Sequence, residues 1–320
     1  MAMTIIGAIT RLTESGLSIT EWNVIMGTLP PIGEAQWLAE FDKYKASPEF
    51  EVKHFWMSLS DFKQIYFWEW FHRLWGRLIG VAFAVPLLIF WIRGKIPSGL
   101  KPHLLILLLL GAAQGYMGWY MVQSGLVDRP SVSHYRLAAH LSLALLIYSY
   151  MAWLALDLWR KKPPSANTLH IRRVVPYHGA LALICVALTI VWGAFVAGLD
   201  AGLIYNTFPM MGKSVIPVEM WAHSPAWINL FENHAAVQFS HRALAVFTGL
   251  IVILYAARAY RHTTHPVFIY LFLWVFLQIG LGIATLVSQV WLPVAVFHQF
   301  GAVILLTLMI AGLQLPRRSR

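Results

Sequence analysis

Apolar runs of about twenty residues recur along the chain, near 74–92, 104–123, 135–156, 177–197, 236–257, 267–288 and 292–313. A helix of that length crosses the roughly 30 Å hydrocarbon core of a bilayer, where each backbone polar group must find its partner within the segment. This feature restricts the chain to an all-α, polytopic membrane fold. Composition agrees: of 320 residues, 58% are hydrophobic and 12% charged, against about 25% charged in a soluble domain. An ordinary soluble enzyme, a disordered chain and a secreted disulfide scaffold are thereby excluded. Cys185 is the sole cysteine and sits in an apolar run, so neither an intrachain disulfide nor a cysteine metal cluster is available.

These runs make seven spans. A stub at 1–10 becomes an eighth if its helix continues through Thr10 and Leu12, or if the chain starts upstream. It lacks the basic start and small-residue cleavage site of a signal peptide. Charge placement tests the count. The connections near 93–101, 157–173 and 258–261 and the tail after Leu315 hold 13 Lys/Arg and one acid, Asp157. The alternate connections, near 11–65, 124–134, 198–233 and 289–291, hold seven Lys/Arg against twelve acids. Basic loops stay cytoplasmic, so both termini are expected inside, which requires an even number: eight. The net charge of +10 is then loop charge, and no nucleic-acid partner is expected. The outer segments 13–65 and 198–233 are expected to fold on the membrane surface as candidate lids, with Phe55–Trp70 in the interfacial belt.

The chain also repeats itself. Gly7-Ala8 followed by Gly16-Leu17 is echoed by Gly193-Ala194 and Gly202-Leu203 at the same spacing. His72-Arg73 with Gly80 recurs as His241-Arg242 with Gly249, Gln114 with Gly118 as Gln278 with Gly282, and His140 as His298. The order is conserved between the copies, so the expected architecture is two pseudo-repeated four-helix bundles, 1–160 (with outer loop 13–65) and 174–316. Parallel repeats without an evidently broken helix argue against a transporter.

Of thirteen histidines, His72, His140, His241 and His298 fall inside even-numbered spans at a similar depth. A lone intramembrane histidine is costly without a partner, and an interhelical hydrogen bond or a cavity lining would explain one. Four at equivalent positions point to ligation. Zinc is a poor fit, because no carboxylate or cysteine completes a set. Two histidines on facing helices can instead clasp a flat tetrapyrrole, as bis-histidine haem in a four-helix bundle does. Gly80, Gly115, Gly118, Gly249, Gly280 and Gly282 either admit such a ring or serve plain helix packing. Arg73, Arg77, Arg136 and Arg242 either meet outward-facing propionates or snorkel to lipid phosphates.

The symmetry breaks three residues before the first histidine of each half, at Glu69 and Gln238. Residues i and i+3 share a helix face, so only the first half sets an ionisable acid beside its histidine. A buried carboxyl there can move protons; a salt bridge to Arg73 or Arg77, or a wet interface, would also account for it. The asymmetry suggests chemistry in the first bundle and an electron-transfer haem in the second.

The segment Gly7-Ala8-Ile9-Thr10-Arg11-Leu12-Thr13-Glu14-Ser15-Gly16-Leu17-Ser18 resembles the opening signature of the haem A synthase family. So do Pro30-Pro31, Tyr44 to Glu49, Phe67 to Arg77, Tyr205 to Gly212, Glu232-Asn233, His241-Arg242 and His298-Gln299. The resemblance covers essentially the whole chain. It implies oxidation of the ring methyl of haem O to a formyl group through a hydroxymethyl intermediate, giving haem A for aa3-type oxidases. It implies eight helices in two bundles, His241 and His298 as axial ligands of a haem b with Arg242 beside it, His72 and His140 as the substrate-haem pair, and Glu69 as the essential acid. It further implies a multi-pass protein of the bacterial inner membrane that meets lipid, an electron-transfer partner, haem O synthase and oxidase assembly factors, and its own copies. The absence of a cysteine pair in the first outer loop resembles the mitochondrial and proteobacterial branch. Family members usually carry more residues before the first signature, so the opening helix is expected to be short. A di-haem electron carrier or a haem-delivery protein would share the histidines, but neither would explain Glu69 in one half only.

Overall fold

The structure is a computed structural model, and it describes residues 1–22, 26–127, 130–159 and 175–315. The basic run 160–173 and the tail 316–320, which carry much of the charge argument, lie outside the described residues, as do Asp128 and Arg129. The described chain is all-helical. Its α-helices are α1 (Ala2–Leu12), α2 (Glu34–Lys45), α3 (Leu59–Ile92), α4 (Lys101–Val127), α5 (His134–Trp159), α6 (Pro176–Gly198), α7 (Asn229–Glu232), α8 (His234–Thr263), α9 (Val267–Val287) and α10 (Leu292–Leu313). Seven of them, α3 to α6 and α8 to α10, are long and apolar enough to cross a membrane. This is a polytopic membrane protein. Helix α1 does run on through Thr10 and Leu12, but its eleven residues reach only about 16 Å.

Helix α3 is longer than its apolar run. Ser58 caps it through a reciprocal pair with Asp61, and it continues unbroken for 34 residues past Pro86. The expected interfacial segment and the following span are therefore one helix, about 50 Å long. Its first three turns pack under α2 and a π-helical turn at Phe50–His54, around a core of Phe41, Tyr44, Met57, Phe62, Ile65 and Tyr66. Phe62 stacks on both Phe41 and Tyr44. That aromatic cluster holds the outer segment in place and brings residues 14–22 against the middle of α3.

The chain divides into two compact units, Met1–Ile147 and Tyr148–Arg320. In the second, α6, α8, α9 and α10 enclose a dense core that includes Val186, Val252, Tyr255, Phe268, Leu271 and Met309. It occupies the half of the bundle where α6 begins and α8 ends. In the first unit, α1 packs along α3 as α6 packs along α8. The long helices of this unit bury little of themselves: 6% of the most apolar stretch of α3 is buried, against 39% for α10.

Candidate functional site

Glu69 lies on α3, 3% exposed, and three donors converge on it. Ser18 Oγ and the Ile19 backbone N–H each donate to Oε2 at 2.8 Å, and Arg73 Nη2 donates to Oε1 at 2.6 Å. The same guanidinium donates to the carbonyls of Ile19 at 3.0 Å and Glu21 at 2.9 Å, and it lies over the Trp22 ring at 4.8 Å. Spacing on one helix turn accounts for the Glu69–Arg73 ion pair. Only the fold supplies Ser18 and Ile19, fifty residues away. Burial of a carboxyl is tolerable because each oxygen accepts a charge-assisted bond.

The second unit repeats this frame with an amide in place of the acid. Gln238 Nε2 donates to the carbonyls of Ala201 at 2.8 Å and Tyr205 at 3.2 Å. Arg242 donates to Gln238 Oε1 at 3.1 Å, Tyr205 O at 2.9 Å and Thr207 O at 2.9 Å. Arg77 donates to Gly27 O, and Arg136 to Tyr120 O while stacking on that ring. Arg73, Arg77 and Arg242 thus tie outer connections to their helices through backbone carbonyls, and Arg136 ties α5 to α4. Arg242 Nε alone among these donors is buried without a partner among the described residues.

Each of the four histidines lies with its Cε1 edge against a glycine of a neighbouring helix. A Cβ at Gly7 would meet His72 Cε1 at 3.3 Å, one at Gly118 would meet His140 at 3.3 Å, one at Gly193 His241 at 3.1 Å and one at Gly282 His298 at 2.9 Å. A methyl group at Gly282 would force a shift, and at the other three the ring would have to give by a few tenths of an ångström, so the glycines let ring and helix meet this closely. Of the other glycines singled out in the sequence, Gly80, Gly115 and Gly280 face open space and Gly249 faces Ile279. The three histidines in α5, α8 and α10 lie about two turns from their helix starts. His72 is deeper in α3 only because that helix begins early.

The pairs are built alike. Gln114 Nε2 donates to the backbone carbonyl of His140 at 3.1 Å and Gln278 Nε2 to that of His298 at 2.9 Å, and each amide also touches the imidazole. Nδ1 of His72 and Nδ1 of His241 are buried without a partner among the described residues. In the second unit the His241 and His298 ring centroids are 6.5 Å apart. Two histidine–metal bonds end to end span about 4 Å, and the two half-rings occupy the rest. No group of three or more His, Cys, Asp or Glu side chains able to hold an ion occurs among the described residues. A metal with only two protein ligands must bring its remaining ligands with it, and haem iron does. Residues and group fit.

Comparison with known sequences agrees with this geometry. The profile of the COX15-CtaA family, described as cytochrome oxidase assembly protein, matches residues 1–310. The chain belongs to that family. A protein of Rhodospirillum centenum named heme A synthase is 53% identical over 323 residues, covering 99% of this chain and 85% of its own. Heme A synthases of Parvibaculum lavamentivorans and Wolbachia pipientis wMel are 44% and 45% identical, each over 94% of this chain and 86% and 84% of theirs.

Within this COX15-CtaA chain the fold brings Glu69, His72 and Arg73 to one stretch of α3 beside α1 and the 15–22 loop, and it pairs His241 with His298. Sequence reasoning missed Ser18, Ile19, Gln114 and Gln278 as site residues. The two glutamines carried a signal, their repeat at equal distance before a glycine. Ser18 carried only its place at the end of a family signature.

Proposed function

We propose that this chain is a haem A synthase of the bacterial inner membrane, oxidising the ring methyl of haem O to a formyl group. The observation that carries this reading is the buried carboxyl of Glu69 one turn from His72, set against the neutral Gln238 in the equivalent place. The sparse burial of the long helices in the first unit supports its use for an exchanged substrate, and the dense core of the second supports its use for a resident cofactor. His72 and His140 would hold haem O. His241 and His298 would hold haem b, and the buried Arg242 Nε beside them is a donor available to it. When bound, haem b supplies one-electron transfer to or from a partner. The architecture is eight spans in two four-helix bundles, 1–160 and 174–316, with both termini cytoplasmic. Helix α1 takes the place of the eighth, since Gly7 meets His72 as Gly193 meets His241.

A substituent methyl is too weak an acid to be deprotonated by a carboxylate alone. It is oxidised twice, first to hydroxymethyl and then to a diol that loses water to give the aldehyde; with water supplying the oxygen, each oxidation releases two electrons to an acceptor outside this chain and two protons. Glu69 exchanges the protons of these steps and offsets positive charge that develops beside it. Ser18, Ile19 and Arg73 hold its carboxyl in place, so that little reorganisation accompanies the proton transfer.

Expression in a host that makes haem O but not haem A tests the activity. Extracted haems should then contain haem A or its hydroxymethyl precursor. A folded, haem-loaded protein that leaves haem O unchanged would make it a carrier or delivery protein instead. The resident site has its own test. Gly282→Ala should displace the His298 ring and weaken haem b binding by about tenfold, as changes next to a metal ligand do. Haem content and the optical spectrum of the purified chain report it.

A further inference from the structure

The outer segment of the first unit buries a second set of titratable groups that the reaction above does not use. Glu49 is 3% exposed, Tyr44 0% and His54 7%. Tyr44 ends α2, Glu49 follows in the next turn and His54 closes the π-helical turn. The Tyr44 hydroxyl donates to Glu49 Oε2 at 2.9 Å and lies 2.6 Å from Nδ1 of His54. On the far side of the imidazole, Nε2 is 3.5 Å from Glu14 Oε2. Lys53 also pairs with Glu14, whose side chain is 33% exposed. A row of exchangeable protons therefore runs from a buried carboxyl, through a phenol and an imidazole, to a carboxylate that touches water.

The charges along the row are graded. Burial pushes the Glu49 carboxyl up to about 7, against the opposing effects of the Tyr44 bond and His54 and with reinforcement from Glu14 and Glu69. Glu14 is held down at about 2, first by its bond to His54 and then by Lys53 and Arg11. Near neutral pH the inner end gains and loses its proton while the outer end stays ionised. A surface domain built for stability alone has little use for a carboxyl buried with one donor, since burial without full hydrogen bonding is costly. The inner end of the row lies against the helix that carries Glu69, since Tyr44 stacks on Phe62, about two turns before Glu69 on α3.

We propose that Glu49, Tyr44, His54 and Glu14 form the outer part of a proton path between Glu69 and the outer surface. The inference rests on the proposed role of Glu69, which must exchange protons with water at each turnover. In the outward direction, with Glu49 protonated, the Tyr44 hydroxyl turns from Glu49 to Nδ1 of His54, and Glu49 gives its proton to the phenol oxygen as the phenol gives its own to Nδ1. One O–H bond is broken and one is made at Tyr44, Glu49 becomes a carboxylate, and His54 becomes an imidazolium facing Glu14. The imidazolium then releases its Nε2 proton past Glu14 to water, and a flip of the neutral ring restores the starting tautomer. The same steps reversed carry a proton inward.

Tyr44→Phe is the decisive variant, because it keeps the stacked ring and removes only the relaying proton. With the full chain in membranes supplied with haem O, the rate of haem O conversion should fall by about tenfold or more. The pH–rate profile should shift and the solvent deuterium isotope effect should rise, while haem b content stays at its native value. A merely structural residue would not move the profile or the isotope effect. Infrared spectra give a readout independent of turnover: a protonated-carboxyl band should vanish as pH rises through about 7 and be absent from Glu49→Gln. Native rate and profile in Tyr44→Phe, with Glu69→Gln inactive, would overturn the path and leave the Glu69 reading standing. Activity in Glu69→Gln would remove that reading and the path's destination with it. Should Tyr44→Phe fail to fold, a carboxyl band unchanged by Glu49→Gln would still refute the proposal.

Discussion

Glu69→Gln is expected to abolish haem A formation, with a loss of at least about a hundredfold in the rate of methyl oxidation, while haem b remains bound. The substitution keeps size and shape and removes the exchangeable charge. The second unit already shows how an amide sits in this frame: Gln238 accepts from Arg242 through Oε1 and turns its N–H groups to carbonyls. At position 69 the amide would accept from Arg73 in the same way, but its N–H groups would face the Ile19 N–H and the Ser18 hydroxyl. The hydroxyl can turn to accept; the backbone N–H cannot, and a buried donor left unpaired costs about 1–3 kcal/mol. Some loosening of the 15–19 loop is therefore expected beside the chemical defect. Ser18→Ala separates the two, since it weakens the hold on the carboxyl and leaves the acid. It should reduce the rate by a much smaller factor than Glu69→Gln. The measurement is chromatography of extracted haems from a haem O-producing host, and haem A at native yield from Glu69→Gln would remove the carboxyl from the mechanism.

Replacing either His241 or His298 by Ala should eliminate resident haem b and its low-spin bis-histidine spectrum, the largest change expected in the second unit. Each ring is held against a glycine of another helix, Gly193 or Gly282, so no neighbouring side chain can take over the vacated position. Folding should survive. The packed core of Val186, Tyr255, Phe268 and Met309 lies in the other half of the bundle, and additivity holds for such separated sites. The expected result is a folded chain that lacks haem b, measured by haem content and optical spectrum beside a thermal unfolding curve. An unchanged low-spin spectrum in both variants would show that these two histidines are not the ligands.

What was legible in the sequence has a local or periodic origin. Seven spans follow from runs of apolar residues long enough to cross a bilayer, and all seven are helices in the structure. The duplication and the equal depth of His140, His241 and His298 follow from counting along helices whose rise is fixed. The Glu69–Arg73 pair, one helix turn apart, was among the readings open from spacing alone.

Tertiary structure decided what holds those residues. Ser18 and Ile19 reach Glu69 only because the aromatic cluster around Phe62 fixes the outer segment on α3. Arg73 and Arg242 bind backbone carbonyls, which carry no side-chain signature. Tyr44, Glu49 and His54 fall within a span of eleven residues, yet only a π-helical turn packed beside α2 lines them up with Glu14. A membrane helix is specified by its own sequence, because the bilayer obliges each segment to satisfy its own backbone. A loop at the membrane surface satisfies its polar groups with whatever the fold brings near, and that pairing exists only once the helices have been packed.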